Sequence, residues 1–254
     1  MTKLELSFVK NFEADVHLQY QQMGSKLRNT VRTKNNVTGS SVEFLRLNSG
    51  GMAVECVMSD FYAGDWIDRI DELKTNINEQ QVVAKAGAFA LGRKTDELII
   101  NQLATATKLA GAGTDGLTKA KVLDAFEILG EIDVPDDGQR FGVVGWKQWS
   151  ELLNIEEFAN SDYVGEDDLP WKGTQAKRWA GALWLPHSGL PKTGNVRKCF
   201  WYHKTAVGHA IGAKVKTDIT WHGDRAAHFV NNMMSQGACL IDPSMVVIMP
   251  CMEP

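Results

Sequence analysis

Cysteine is scarce in this chain of 254 residues. No two of the four cysteines form a CxxC pair, and they are widely spaced, at Cys56, Cys199, Cys239 and Cys251. A disulfide scaffold is dense in cysteine, and a structural zinc site needs about four clustered ligands. His203 is the histidine closest to a cysteine, but no second paired spacing accompanies it. The sequence therefore predicts that the protein has no metal site. It also predicts that the four cysteines are free thiols in a reducing cytosol.

Long apolar runs are missing as well. The stretch 245–249 is typical of the longest and ends at Pro250, far short of the roughly 18 residues of a membrane span. The first thirteen positions contain no unbroken apolar stretch, because they are interrupted by Lys3, Glu5 and Lys10. A secretory signal requires such a stretch. We therefore expect that the protein does not associate with a membrane. We also expect that its first residues are part of the mature protein.

The chain also has no excess of positive charge. Its 27 basic and 31 acidic residues give a formal net charge of -4, which excludes a protein that condenses nucleic acid through a basic surface. The charges are segregated, however. Residues 1–40 carry six bases and three acids, whereas residues 43–74 carry three bases and seven acids. This pattern is typical of a solvated surface or of a clasp between molecules.

One glycine motif suggests a cofactor. GAGTDG at 111–116 is a formal GxGxxG followed by helix-forming sequence, with Glu131 about twenty residues further on. A dinucleotide site requires a buried strand before the motif, whereas residues 78–108 are mostly helix formers. The sequence favours a turn between helices. An NAD-linked oxidoreductase stays open as an alternative that a strand at 94–110 would support, and no nucleophile motif indicates catalysis.

Hydrophobic periodicity predicts a mixed order of elements. Phe8, Phe12, Val16 and Tyr20 recur at helical spacing in the arm, and a strand with a turn follows from 42. One helix over 78–108 would be about 45 Å long. We predict a second helix at 117–129 and a third at 224–236. The remaining predicted strands are 140–146, 181–185, 198–203, 214–221, 238–241 and 245–249.

Three segments of this sequence resemble the major capsid proteins of tailed bacteriophages with the Hong Kong 97-like fold. GRKTDELIINQLA at 92–104 is similar to the end of that family's long helix. VPDDGQRFGVV at 134–144 is similar to its entry into the axial domain, and QGACLIDPSMVVIM at 236–249 to its final segment. The order of the parts matches over nearly the whole chain.

The resemblance implies an α+β fold with an N-terminal arm, an extended β-hairpin loop, a peripheral domain with a long spine helix, and an axial domain. The corresponding residues are 1–40 for the arm, 41–77 for the loop, 78–112 for the peripheral domain, 113–223 for the axial domain, and 224–254 for the return to the peripheral domain. It implies no enzyme activity and no cofactor. A minor virion protein remains a second alternative.

The resemblance also implies partners. We expect hexamers and pentamers of this chain in an icosahedral virion shell around double-stranded DNA, assembled in the host cytoplasm with a scaffolding protein, a portal and a decoration protein. No lysine occurs at 41–73, which argues against the cross-linked loop of some relatives. We predict that loop acids pair with arm bases of a neighbouring subunit. The predicted contact residues are Arg28, Arg32, Lys34, Glu43, Arg46, Asp68, Asp71 and Glu72.

Overall fold

A computed structural model describes residues 24–46, 52–69, 79–159 and 176–253. The helix predicted at 8–20 lies outside this part of the chain. The helices are α1 (Glu79–Leu103), α2 (Lys119–Gly130), α3 (Trp146–Leu153) and α4 (Glu156–Ala159). The strands are β1 (Arg32–Lys34), β2 (Ser41–Arg46), β3 (Met52–Val57), β4 (Ser59–Asp68), β5 (Lys108–Leu109), β6 (Arg140–Val144), β7 (Lys177–Trp179), β8 (Ala182–Pro186), β9 (Lys192–Thr193), β10 (Val196–His203), β11 (Val207–His222), β12 (Ala227–Leu240) and β13 (Val246–Met252).

A four-stranded sheet forms one half of the molecule, in the order β1-β11-β12-β4. The two longest strands, β11 and β12, form an antiparallel hairpin at its centre, and β4 pairs antiparallel with β12. The short strand β1 pairs parallel with β11 at the opposite edge. The helix α1 crosses one face, where Leu91 packs with Ile211 and Met234. Each edge strand thus leaves one side without a strand partner among the described residues.

The prediction of a helix at 224–236 is wrong. Residues 227–236 of this segment lie in β12, which is hydrogen-bonded to β11 on one side and to β4 on the other. Its buried positions alternate through Val230, Asn232, Met234 and Gln236, as a strand requires. Two of these four side chains are amides, so the period of two is hidden from a hydrophobicity pattern. Long-range strand pairing therefore decides the structure here.

A seven-stranded sheet forms the other half, in the order β5-β13-β10-β6-β8-β7, with β9 paired to the end of β10. It holds the main core, whose largest fully buried side chains include Trp184, Trp201, Tyr202 and Phe200. The helix α2 packs beside β13. The predicted strands at 140–146, 181–185, 198–203 and 245–249 correspond to β6, β8, β10 and β13 of this sheet, but β6 ends at Val144 because α3 begins at Trp146.

The long helix ends earlier than predicted. It spans 25 residues, about 37 Å, and stops at Leu103, because Lys108 and Leu109 already pair with β13. No helix of the described residues is long and apolar enough to cross a membrane.

The predicted extended loop at 41–77 contains two different structures. The strands β2 and β3 pair only with each other in the described chain, with Val42 opposite Cys56. One face of this hairpin is buried against Ala210 and Ile241. The following strand, β4, belongs instead to the four-stranded sheet.

Candidate functional site

The GAGTDG segment is filled by side chains of the protein itself. The buried Lys121 of α2 lies against Gly111, and its Nζ donates to the carbonyl oxygens of Asp115, Gly116 and Pro250 at 2.8–3.0 Å. The backbone N–H of Leu117 donates to Glu151 rather than facing an open cavity. The segment before it, 94–103, is helical, and only Lys108–Leu109 forms a strand. The Lys121 ammonium group and the Glu151 carboxylate therefore occupy the space that the phosphate of a dinucleotide would need.

The closest cysteine–histidine pair also has partners within the chain. The Cys199 thiol is buried beside Cys251, and burial raises its pKa well above the ordinary value. The ring nitrogens of His203 face Thr205 at 2.8 Å and Asp137 at 3.0 Å. Within the described ranges, no group of three or more His, Cys, Asp or Glu side chains is arranged to hold a metal ion.

Three of the four predicted basic contact residues, Arg28, Arg32 and Lys34, lie on or just before one edge strand of the four-stranded sheet, β1. Arg32 and Lys34 are exposed on the edge strand β1. The Arg32 guanidinium lies 5.8 Å from the centre of the Phe44 ring, and a nitrogen of Arg28 lies 3.3 Å from the Asn35 side-chain oxygen. The first of these contacts places the charge of β1 beside the hairpin.

Arg46 has a partner within its own subunit. Its guanidinium donates to both carboxylate oxygens of Asp242, at 2.8 and 3.1 Å. This bidentate pair fixes β2 to the turn before β13, because its planar fork matches the carboxylate in two places. Its predicted role in a contact between subunits stays a prediction.

The predicted acidic residues fall on two surfaces. Glu43 lies on the outer face of the hairpin, directly opposite Glu55 of β3. Like charges at directly opposite positions destabilise a strand pair. The same outer face exposes Leu45 by 66% and Val57 by 63%. This surface is both acidic and apolar.

The other acidic surface is the second edge of the four-stranded sheet. Asp68 is exposed on β4, together with Asp60 and Asp65. Asp71 and Glu72 lie outside the described residues. The sheet therefore carries bases on β1 and acids on β4, its two opposite edges.

A buried carboxylate that the sequence does not single out lies between the two sheets. Asp96 of α1 is only 1% exposed. Its oxygens accept hydrogen bonds from the Ser25 hydroxyl at 2.5 Å and from the backbone N–H groups of Lys26 and Leu27 at 3.0 Å. Nε2 of His187, just after β8, lies 3.1 Å away. One side chain thus joins the arm, the long helix and the seven-stranded sheet.

These hydrogen-bond donors stabilise the negative charge of Asp96. Burial alone raises the pKa of Asp96, but the hydrogen bonds from His187, Ser25 and the two backbone N–H groups outweigh it, so the pKa is lowered. The N–H of Gly189 donates to Nδ1 of His187, which leaves Nε2 to donate to the carboxylate. The helical spacing in the sequence contains a signal for this buried position, because it places Asp96 on the same buried stripe of α1 as Ile99 and Ile100.

Comparison with known proteins decides the family. A family model described as phage capsid protein matches residues 4–53 and 47–253. The chain belongs to this phage capsid protein family. The predicted identity, a major capsid protein of a tailed phage, is confirmed, and the oxidoreductase alternative is not supported. A family of shell proteins implies a structural role and a place in the virion.

Solved structures confirm the α+β capsid fold of this phage capsid protein. A structure from Mycobacterium phage Che8 is 17% identical, with a TM-score of 0.75, over 96% of this chain and 97% of that one. The capsid of Ralstonia phage GP4 is 12% identical, with a TM-score of 0.72, over 100% and 98%. The capsid of a native GTA particle computed with C5 symmetry is 10% identical, with a TM-score of 0.73, over 95% and 94%. No curated protein matches the chain.

Proposed function

We propose that this capsid protein builds its shell through head-to-tail contacts between the two edges of the four-stranded sheet. The basic edge is β1 with Arg32 and Lys34, and the acidic edge is β4 with Asp60, Asp65 and Asp68. The observation that carries the proposal is that one sheet bears opposite charges at its opposite edges.

Opposite edges of opposite charge favour one mode of association. Contact between a surface patch and a different patch on the next copy is heterologous and generates rings when the rotation closes. Contact of β1 with β1, or of β4 with β4, would bring like charges together and is disfavoured. Charged edge strands also prevent uncontrolled strand pairing between subunits. The edges therefore supply both attraction and register.

The outer face of the hairpin is the second proposed contact. The carboxylates of Glu43 and Glu55 repel each other in the isolated subunit, and a base from a neighbouring arm relieves that repulsion. Arg28 is a further arm donor, and Asp71 and Glu72 are further acids of the proposed set. Burial of the exposed Leu45 side chain in the same contact adds apolar area.

The shell proposed for this chain contains hexamers and pentamers. The fivefold symmetry of the native GTA particle, whose capsid this chain resembles in fold, supports the pentamer. A scaffolding protein, a portal and a decoration protein complete the proposed partners, and assembly takes place in the host cytoplasm. The net charge of -4 suits a container that holds packaged DNA only by weak, non-specific contact.

Sheet membership supports a modified division into domains. The predicted boundaries place 207–223 in the axial domain and 224–254 in the peripheral one. Strand β11 pairs with β12 from Val207 onward, and β13 lies within the seven-stranded sheet. We therefore assign the four-stranded sheet with α1 to the peripheral domain and the seven-stranded sheet, including β13, to the axial domain.

A charge exchange tests the contact between edges. Asp60→Lys with Asp65→Lys reverses the acidic edge, and Arg32→Glu with Lys34→Glu reverses the basic edge. Each pair alone should abolish closed shells in negative-stain electron microscopy at low salt, and the four changes together should restore them. The matched control is Asp124→Lys on the exposed side of α2, away from both edges, which should assemble normally. Normal shells from either edge reversal alone would overturn the proposal.

A further inference from the structure

Two of the four cysteines meet where the hairpin rests on the four-stranded sheet. Cys56 points inward from β3 and is fully buried, and Cys239 of β12 is buried opposite it. Both belong to the same small cluster as Phe44, Ala210 and Ile241. The two thiols are hydrogen-bond partners. The structure thus brings together two sulfur atoms from segments far apart in the chain.

The two thiols differ in their readiness to ionise. The hydrogen bond from Cys239 lowers the pKa of Cys56 and outweighs the opposing effect of burial. The same bond, together with burial, raises the pKa of Cys239. Cys56 is therefore the thiol of the pair that ionises more readily, and the thiolate is the form that attacks an oxidant. This is the arrangement of an attacking and a resolving thiol.

We propose that Cys56 and Cys239 are a redox modification site, reduced inside the cell and closed to a disulfide by hydrogen peroxide outside it. The change of compartment rests on the proposed function, because a virion leaves the reducing cytosol of its host. The chemistry itself rests only on the two thiols. The hairpin is the element that must open to admit the oxidant, since in the described chain it pairs with no other strand.

The reaction balances in two steps. The Cys56 thiolate attacks one peroxide oxygen, the O–O bond breaks, and hydroxide leaves as the sulfenic acid forms. The sulfur of Cys239 then attacks the sulfenic sulfur, the S–S bond forms, the S–O bond breaks, and water is released. The two thiols lose two protons and two electrons, and one hydrogen peroxide becomes two waters.

The product would fix the base of the hairpin to β12. The bond closes a loop of roughly 180 residues, and the entropy removed from the unfolded chain grows with loop length. For a chain of this size, we expect the melting temperature to rise by about 10 °C on oxidation. A hairpin that can no longer separate from the sheet also holds its outer face in one position.

The second cysteine pair provides an internal comparison. Cys199 and Cys251 are both buried on neighbouring strands, and their thiols are also hydrogen-bond partners, but Cys199 lies opposite Met249 and Cys251 lies opposite Arg197. Such diagonal neighbours are farther apart than directly opposite residues, beyond the Cβ separation of about 4 Å that a disulfide prefers. Both thiols also lie on inner strands of the seven-stranded sheet, β10 and β13, each of which has a partner strand on both sides. We expect this pair to stay reduced.

The experiment oxidises the purified full-length chain with hydrogen peroxide. Thiols are counted after denaturation, the cross-linked peptide is identified by mass spectrometry, and melting is measured with and without dithiothreitol. We expect two of the four thiols to disappear into one peptide pair joining Cys56 to Cys239, with a higher melting temperature that reductant reverses. Cys239→Ala should lose this shift, whereas Cys251→Ala should keep it.

Other outcomes overturn the inference. Four remaining thiols, over-oxidation without a cross-link, a bond between Cys199 and Cys251, or a bond between two chains would each refute it. The peptide map of the unaltered chain decides the question even where an alanine variant fails to fold. Because thiols and melting are measured without shells, failure here is distinguishable from failure of the proposed assembly.

Discussion

Replacing Asp96 with alanine removes the acceptor shared by the arm, the long helix and His187. The buried N–H of Leu27 and the N–H of Lys26 lose their partner, and an unpaired buried donor costs about 1–3 kcal/mol. The lost bonds to Ser25 and His187 add about 1 kcal/mol each. Allowing for partial relaxation, we expect the free energy of unfolding to fall by about 4 kcal/mol.

The neighbouring residue supplies the control. Glu97 follows Asp96 on the same helix, its side chain is 55% exposed, and it pairs with Lys94 on the surface. Glu97→Ala should therefore change stability by only about 0.3 kcal/mol. Urea unfolding followed by tryptophan fluorescence measures both, since Trp184 and Trp201 are buried. A loss below about 1 kcal/mol in Asp96→Ala would refute the reasoning.

Acid unfolding tests the same carboxylate. The pKa of Asp96 is lower in the folded chain than in the unfolded one, so the unfolded chain binds the proton first. The stability that Asp96 contributes is fully present above the unfolded pKa of about 4 and is lost as the pH falls through the folded value. Asp96→Asn should therefore be destabilised near neutral pH, and its stability should approach that of the unaltered chain under acid conditions. A constant difference across the range would contradict this.

Three further substitutions test single contacts by urea unfolding. Lys121→Met leaves three backbone carbonyls without their donor and should lose about 2 kcal/mol, against about 0.5 for the exposed Lys119→Met. Tyr202→Phe removes the 2.6 Å bond to the Thr30 hydroxyl and should lose about 1 kcal/mol. Glu253→Gln should destabilise only above about pH 4, because two neighbouring cations lower the pKa of this carboxyl in the folded chain. If a substitution leaves the free energy of unfolding unchanged, the contact that it removes does not stabilise the fold as predicted.

Local pattern predicted those elements whose burial is apolar and continuous. The long helix and the longer strands of the seven-stranded sheet, β6, β8, β10 and β13, follow from such runs, whereas the short strands β5, β7 and β9 were not predicted. Strand β12 does not, because Asn232 and Gln236 occupy inward positions where a pattern expects hydrophobic residues. Their partners, Thr217 on β11 and Thr95 on α1, come from other elements. A pattern read along one segment does not contain those partners.

The charged surfaces were partly accessible from sequence and the buried site was not. Segregation of bases and acids is visible in the order of residues, but their placement on opposite edges depends on β1 and β4 flanking the same hairpin. The partners of Asp96 are about 70 and 90 residues away, at Ser25 and His187. No local spacing links three such positions, so only the folded chain brings them together.

The position of β13 has a consequence during translation. This strand lies between β5 and β10, so the seven-stranded sheet is incomplete until residues 246–252 have left the ribosome. Translation adds about 5–20 residues per second, and β5 and β10 lack their shared partner strand until it has been synthesised. Until then, β5 and β10 each keep an unpaired edge, and the sheet stays open between them.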